Sequence, residues 1–192
     1  MTNPPHRTLH GHLNALRQWS RAALVVLICI LSRHSHAAAD TVRITSDDGS
    51  VSISVPADWR ADLKPNRPRV KLAIYSPPES SADHYIESIY IESEQLKNDD
   101  TLERYVEWFK AHMATAPGVS FVSESTVTAN GLNGMRVLFR LHAVDRLDVV
   151  VMRYFFVGAT GTVYMVNAVT LQADLDSWQQ KLEEICLSVS YK

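Results

Sequence analysis

From residue 41 onward apolar and polar positions alternate with a period of two, the pattern of a β-strand with one buried face. Val51, Ile53 and Val55 alternate with Ser50, Ser52 and Ser54. Together with 41–47, across Asp48-Gly49, they predict a hairpin. Two more strands are predicted over 70–76 and 85–93, parted by Pro77-Pro78 and a polar turn. At residue 101 the period changes. Leu102, Tyr105, Val106, Phe109 and Met113 recur every three or four positions and predict a helix. Asp100, three residues before Glu103, stands as its N-cap, and Pro117-Gly118 ends it. Next, 119–128 leads into Asn130-Gly131 and Asn133-Gly134, two turn dipeptides in succession. Met135, Val137, Phe139 and Leu141 then alternate with Arg136, Leu138, Arg140 and His142. The runs 147–157 and 162–171 are almost continuously apolar, as in strands covered on both faces. Asp174 or Asp176 caps a last helix with Leu175, Trp178, Leu182, Ile185 and Val189 on one stripe. The order β-β-β-β-α-β-β-β-α predicts an α+β fold over a single domain, 40–192. Its sheet is mainly antiparallel, with about six to seven strands flanked by two main helices as an α/β/α sandwich.

The first 39 residues follow a different pattern. An apolar run of ten, 22–31, follows a basic stretch, and Ala37-Ala38-Ala39 offers the small residues that a signal peptidase accepts. The run is too short to span a bilayer comfortably. These residues predict a signal peptide cleaved before Asp40 and a periplasmic or secreted protein; an uncleaved anchor is the rival reading. Cleavage leaves Cys186 alone, so the mature chain has no internal disulfide. Its apolar neighbours Ile185 and Leu187 predict a buried, inert thiol.

Composition narrows the function. The 192 residues are 46% hydrophobic and 21% charged, ordinary for a globular protein and unlike a disordered tail or multi-pass membrane protein. All four arginines of 1–39 precede the cleavage point, so 40–192 carries a net charge of −6. That excludes a phosphate-backbone binder with a broad basic face, and no nucleic-acid partner is expected. His84, His112 and His142 fall in different elements without metal-ligand spacing. There is no nucleophile elbow, Walker loop or dinucleotide fingerprint. The chemistry thus predicts no catalytic residue, no metal and no cofactor.

Several segments resemble the superfamily that includes the PsbP subunit of photosystem II, the Ran-binding Mog proteins and bacterial DcrB-like proteins. They are Val51-Ser52-Ile53-Ser54-Val55-Pro56-Ala57-Asp58-Trp59, the helix start Thr101-Leu102-Glu103-Arg104-Tyr105, the turn Gly131-Leu132-Asn133-Gly134-Met135-Arg136, and the closing helix from Trp178 to Ser190. The resemblance implies a central antiparallel sheet flanked by helices and, in most members, a non-enzymatic binding or assembly role. It implies no shared catalytic residue, because the members bind unrelated partners.

Two candidate binding features remain. Arg136, Arg140 and His142 share a strand face with Leu138, and Arg153 extends this strip if the register allows. Such a strip suits a carboxylate or an acidic partner. The competing reading has these arginines paired with Glu87, Glu92 or Glu94 across the sheet. The second feature is the stiff loop carrying Lys64, Arg67, Arg69 and Lys71. The expected function is that of an exported, non-enzymatic accessory protein touching a partner protein in the cell envelope, without stable membrane insertion. The alternative is a periplasmic carrier of a small hydrophobic or anionic ligand in a pocket between sheet and helices.

Overall fold

The computed structural model describes residues 40–83, 85–97, 100–142 and 147–191. The predicted signal peptide, its cleavage point and His84 lie outside the described residues. Among the described residues, ten strands and two α-helices follow in chain order: β1 (Thr41–Thr45), β2 (Val51–Pro56), β3 (Arg60–Asp62), β4 (Val70–Tyr75), β5 (Ser88–Gln95), α1 (Leu102–Met113), β6 (Val119–Ala129), β7 (Leu132–His142), β8 (Asp148–Val157), β9 (Thr162–Leu171), α2 (Leu175–Leu187) and β10 (Ser190–Tyr191). The α+β fold is as the alternation predicts. Four strands rather than three lie between the helices.

Seven strands form the main sheet in the order β3-β4-β5-β9-β8-β7-β6, every pair antiparallel. β1, β2 and β10 form a separate small sheet, which the pattern left undivided. It forms because the chain after α2 turns back onto β2, where the Ser188 hydroxyl accepts from the Ser54 amide at 2.9 Å.

Each face of the main sheet buries its own cluster. On one side Val150, Met152, Tyr154 and Phe156 of β8 meet Trp178, Leu182, Ile185 and Cys186 of α2 and Val51, Ile53 and Val55 of β2. On the other, Val151 and Phe155 meet Tyr105, Val106 and Phe109 of α1. This explains the continuous apolar runs: β8 and β9 lie in the middle of the sheet, with packed layers above and below.

Two local readings change. Thr101, not Asp100, caps α1, its hydroxyl accepting from the Arg104 amide at 3.3 Å. Of the two turn dipeptides, Asn130-Gly131 makes the β6–β7 turn with φ of 48° and 80°, while Asn133-Gly134 lies inside β7. Positive φ at both central residues marks the type I′ turn, which matches the twist of the flanking strands.

Glu87, a proposed partner for the arginines, is only 3% exposed. It accepts from the Ser76 hydroxyl at 3.1 Å and the Thr170 hydroxyl at 3.3 Å. Burial raises its pKa above the ordinary 4.5, against the opposing hydrogen bonds. The folded state therefore holds this proton to higher pH than the unfolded chain. The contribution is fully present below 4.5 and is lost as pH rises through the raised value. Glu87→Gln, which stays neutral, is expected to gain stability relative to wild type between about pH 4 and about pH 7.5. Urea titrations at the two pH values check this; a stability difference independent of pH would contradict it.

Candidate functional site

The face of the main sheet under α1 is covered over only part of its width. One row across it runs Tyr75, Ser88, Val169, Val151 and Phe139; the next runs Ala73, Tyr90, Asn167, Arg153 and Val137. In both rows the residues toward β7 are apolar and lie near α1. Those toward β4, apart from the small Ala73, are polar or aromatic.

Arg153 stands at the boundary. Its register partner is Val137, so it lies on the face opposite Arg136 and Arg140 and does not extend their strip. The guanidinium sits 4.6 Å from the centre of the Phe109 ring, donates to Asn167 Oδ1 and approaches Glu92 at 3.8 Å. Burial pushes its pKa down while the Glu92 carboxylate supports the charge. Beside it, burial first and then Glu94 push the Tyr105 hydroxyl up to about 12.

Beyond Arg153 the open half carries a ladder of alternating cations and rings. The Arg60 guanidinium lies over Tyr75 at 4.9 Å, Tyr75 meets Tyr90 edge-on at 6.0 Å, and the Arg67 guanidinium lies over Tyr90 at 5.1 Å. The sequence places them because β3 pairs with β4 so that Arg60 is opposite Tyr75. The basic loop is also pinned down: the Ser93 amide donates to the Arg69 carbonyl at 3.1 Å, and the Arg69 side chain pairs with Glu94. Burial and the neighbouring Tyr90 raise the Tyr75 pKa, with Arg67 opposing. Tyr75 therefore stays a neutral hydrogen-bonding group near pH 7.

Arg60 and Arg67 are exposed, and neither has an ion-pair partner among the described residues. Stacking on a ring leaves the edges of a guanidinium free to donate, and it restricts the long side chain before a ligand arrives. The arrangement suits carboxylates, which guanidinium forks bind in bidentate fashion.

The other sequence candidates are differently placed. Arg136 is tied to Glu183 of α2 at 2.8 Å, and His142 to Asp148 at 2.7 Å in an exposed pair. Arg140 is exposed and has no ion-pair partner among the described residues. The strip thus retains one unpaired cation. Of these arginines, Arg153 pairs across the sheet with Glu92, whereas Arg136 pairs with a helix. Sequence reasoning found Arg67 but missed Arg60, Tyr75 and Tyr90. Arg60 follows Trp59 in a three-residue strand too short to produce a period.

Two clefts open at the surface near α1. One, of about 210 Å³, has Tyr105, Trp108, Arg104 and Lys97 in its wall. The other, of about 690 Å³, lies over the β6–β7 hairpin with Leu102, Met135 and Val157 among its lining residues. Cys186 is fully buried, and its thiol is pushed well above the usual range by burial. Among the described residues no group of three His, Cys, Asp or Glu is placed to hold a metal. No described helix is long and apolar enough to cross a membrane.

An antiparallel seven-stranded sheet, with one helix on one face and a helix plus a small sheet on the other, gives a fold similar to that of solved PsbP and Mog1p structures. No family model and no curated protein matches this sequence. Solved structures match it over most of its length. Cyanobacterial PsbP (CyanoP) from Synechocystis sp. PCC 6803 superposes with a TM-score of 0.59 at 13% identity, covering 82% of this chain and 96% of that one. LpqN of Mycobacterium tuberculosis, involved in cell envelope biogenesis, has a TM-score of 0.59 at 16% identity, covering 79% and 90%. The Ran-binding protein Mog1p of Saccharomyces cerevisiae has a TM-score of 0.56 at 12% identity, covering 80% and 96%. At such identities the likeness establishes the fold and leaves function to the site.

Proposed function

We propose that this chain is an exported accessory protein of the cell envelope, cleaved before Asp40, that binds an acidic segment of a partner protein on the open half of its main sheet. It performs no bond chemistry. The observation behind this reading is the ladder Arg60–Tyr75–Tyr90–Arg67, in which two guanidiniums without carboxylate partners are held on tyrosine rings. Export is supported by the basic stretch, the apolar run 22–31 and the Ala37-Ala38-Ala39 site. A role in the envelope agrees with one structural neighbour, LpqN, which is involved in cell envelope biogenesis.

The energetics favour recognition over bulk attraction. The body is net acidic, so a partner's carboxylates are repelled from most of the surface and attracted where the two arginines stand. Arginines and tyrosines at the centre of an interface concentrate binding energy in few residues. The test is crosslinking in intact cells followed by mass spectrometry of the captured protein and of the mature N-terminus. Expected are a start at Asp40 and one enriched envelope protein. With that partner in hand, Arg60→Glu with Arg67→Glu should weaken binding by roughly a hundredfold. Charge reversal at Arg140 should change it far less. Unchanged capture by the double variant would overturn the proposed face, and a mature chain retaining residues 1–39 in the cytoplasm would overturn export.

A further inference from the structure

We propose that the free edge of the main sheet pairs with the same edge of a second copy of this chain, making one continuous sheet across a two-fold axis. The two ends of the sheet differ. At one end β3 is a three-residue strand, too short to template much pairing. At the other end β6 runs for 11 residues, mostly exposed, with no neighbour on its outer side among the described residues. Edge strands are ordinarily blunted by proline, lysine or short length. β6 contains neither residue, and its single charge, Glu124, is held by Lys110 at 2.6 Å.

The turn geometry decides which backbone groups are free. In a two-residue hairpin loop the flanking residues, here Ala129 and Leu132, form a hydrogen-bonded pair. Alternation then directs the amides and carbonyls of Ala129, Val127, Ser125 and Ser123 toward β7. Those of Thr128, Thr126 and Glu124 face outward. The regular edge is bounded by the Asn130-Gly131 turn on one side and by the register shift between Phe121 and Ser123 on the other. Thr126 stands at its centre.

An antiparallel copy related by a two-fold at Thr126 therefore fits without conflict. Thr126 meets its own counterpart, Glu124 lies opposite Thr128, and Ser125 lies opposite Val127. Each outward-facing residue exchanges both of its hydrogen bonds, and no like charges stand directly opposite. Past the register shift, the exposed Phe121 and Val122 reach the second copy's Asn130-Gly131 turn. There a Cβ on Gly131 would meet nothing within 4 Å, leaving space for a ring. This self-complementarity about one residue is what an isologous contact requires, and it selects a second copy as the occupant.

The test uses protein purified after expression of the full 192-residue chain. Sedimentation velocity from micromolar to near-millimolar concentration should show a monomer–dimer equilibrium. Thr126→Pro removes the central outward amide, a position at which proline costs β6 no bond to β7. Thr126→Lys keeps the backbone intact and sets two ammonium groups opposite each other. Each should weaken association roughly tenfold or more, and the lysine variant should melt at the wild-type temperature. Ser125→Cys combined with Val127→Cys should yield a disulfide-linked dimer on mild oxidation, because these positions face each other in a non-hydrogen-bonded pair. A monomer at every concentration, a dimer indifferent to both Thr126 variants, or a cysteine pair that fails to crosslink would each overturn the proposal. So would a different protein adding a strand to β6 while this chain stays monomeric.

Discussion

Gly134→Val is expected to leave no folded protein at ambient temperature, and Gly134→Ala to lower stability by roughly 3 kcal/mol. Gly134 lies inside β7 opposite Phe156, where a glycine is otherwise a liability for strand formation. A methyl at this position would stand 2.5 Å from the Phe155 carbonyl and closer still to the Phe156 ring. The carbonyl belongs to the adjacent strand and cannot step aside without breaking the ladder. The ring has little freedom either: Phe156 is fully buried and packs against Tyr191, which stacks on Tyr164 at 4.3 Å. The glycine thus lets an aromatic ring lie over the sheet and meet the C-terminal strand. Denaturant unfolding of the alanine variant, followed by far-UV circular dichroism, checks the magnitude. Stability within 0.5 kcal/mol of wild type, about the scatter of neutral surface changes, would contradict this account.

The second large effect separates two neighbours in α1. Phe109→Ala is expected to cost about 3–5 kcal/mol, whereas Trp108→Ala stays within about 0.5 kcal/mol. Phe109 is 5% exposed and meets Phe155 at 5.2 Å and Phe139 at 5.8 Å. It also supplies the ring beneath the Arg153 guanidinium, so its removal leaves a cavity and strips a half-buried cation of its support. Trp108 is 57% exposed and rests on His112 at 5.6 Å, with ring planes 7° apart. Its loss uncovers little. A reversed order in urea midpoints, with Trp108 costing more than Phe109, would mean that α1 docks through its other side.

Much of this architecture was legible along the chain. Period-two alternation in β2 and β7 announced one-faced strands, and the three-and-four spacing of 102–113 announced α1. The continuous apolar runs of β8 and β9 showed that two layers cover the middle of the sheet. These are local properties: the side-chain period follows from backbone geometry, so a single segment reports its own class and its buried face. For the same reason the turn at Asn130-Gly131 could be read directly, since positive φ restricts the residues that occupy it.

What the segments could not report is which strands become neighbours. Arg153 looked like an extension of the Arg136–Arg140 strip, but the register sets it opposite Val137 and so on the other face. A shift of one residue would have reversed that result. The cation ladder joins residues from β3, the basic loop, β4 and β5. No spacing in one dimension relates Arg60 to Tyr75 or Arg67 to Tyr90. Asn133-Gly134 carries a turn signal, yet the packing of Phe156 uses the glycine for close approach within a strand. By itself, the sequence determined the longer elements, the acidic character of the body and most buried faces, all set by the chemistry of adjacent residues; the short β3 and β10 left no period to read. The tertiary structure alone decided which cations are paired, which stay free and which strand edge is open, because strand order and register bring together groups that are distant along the chain.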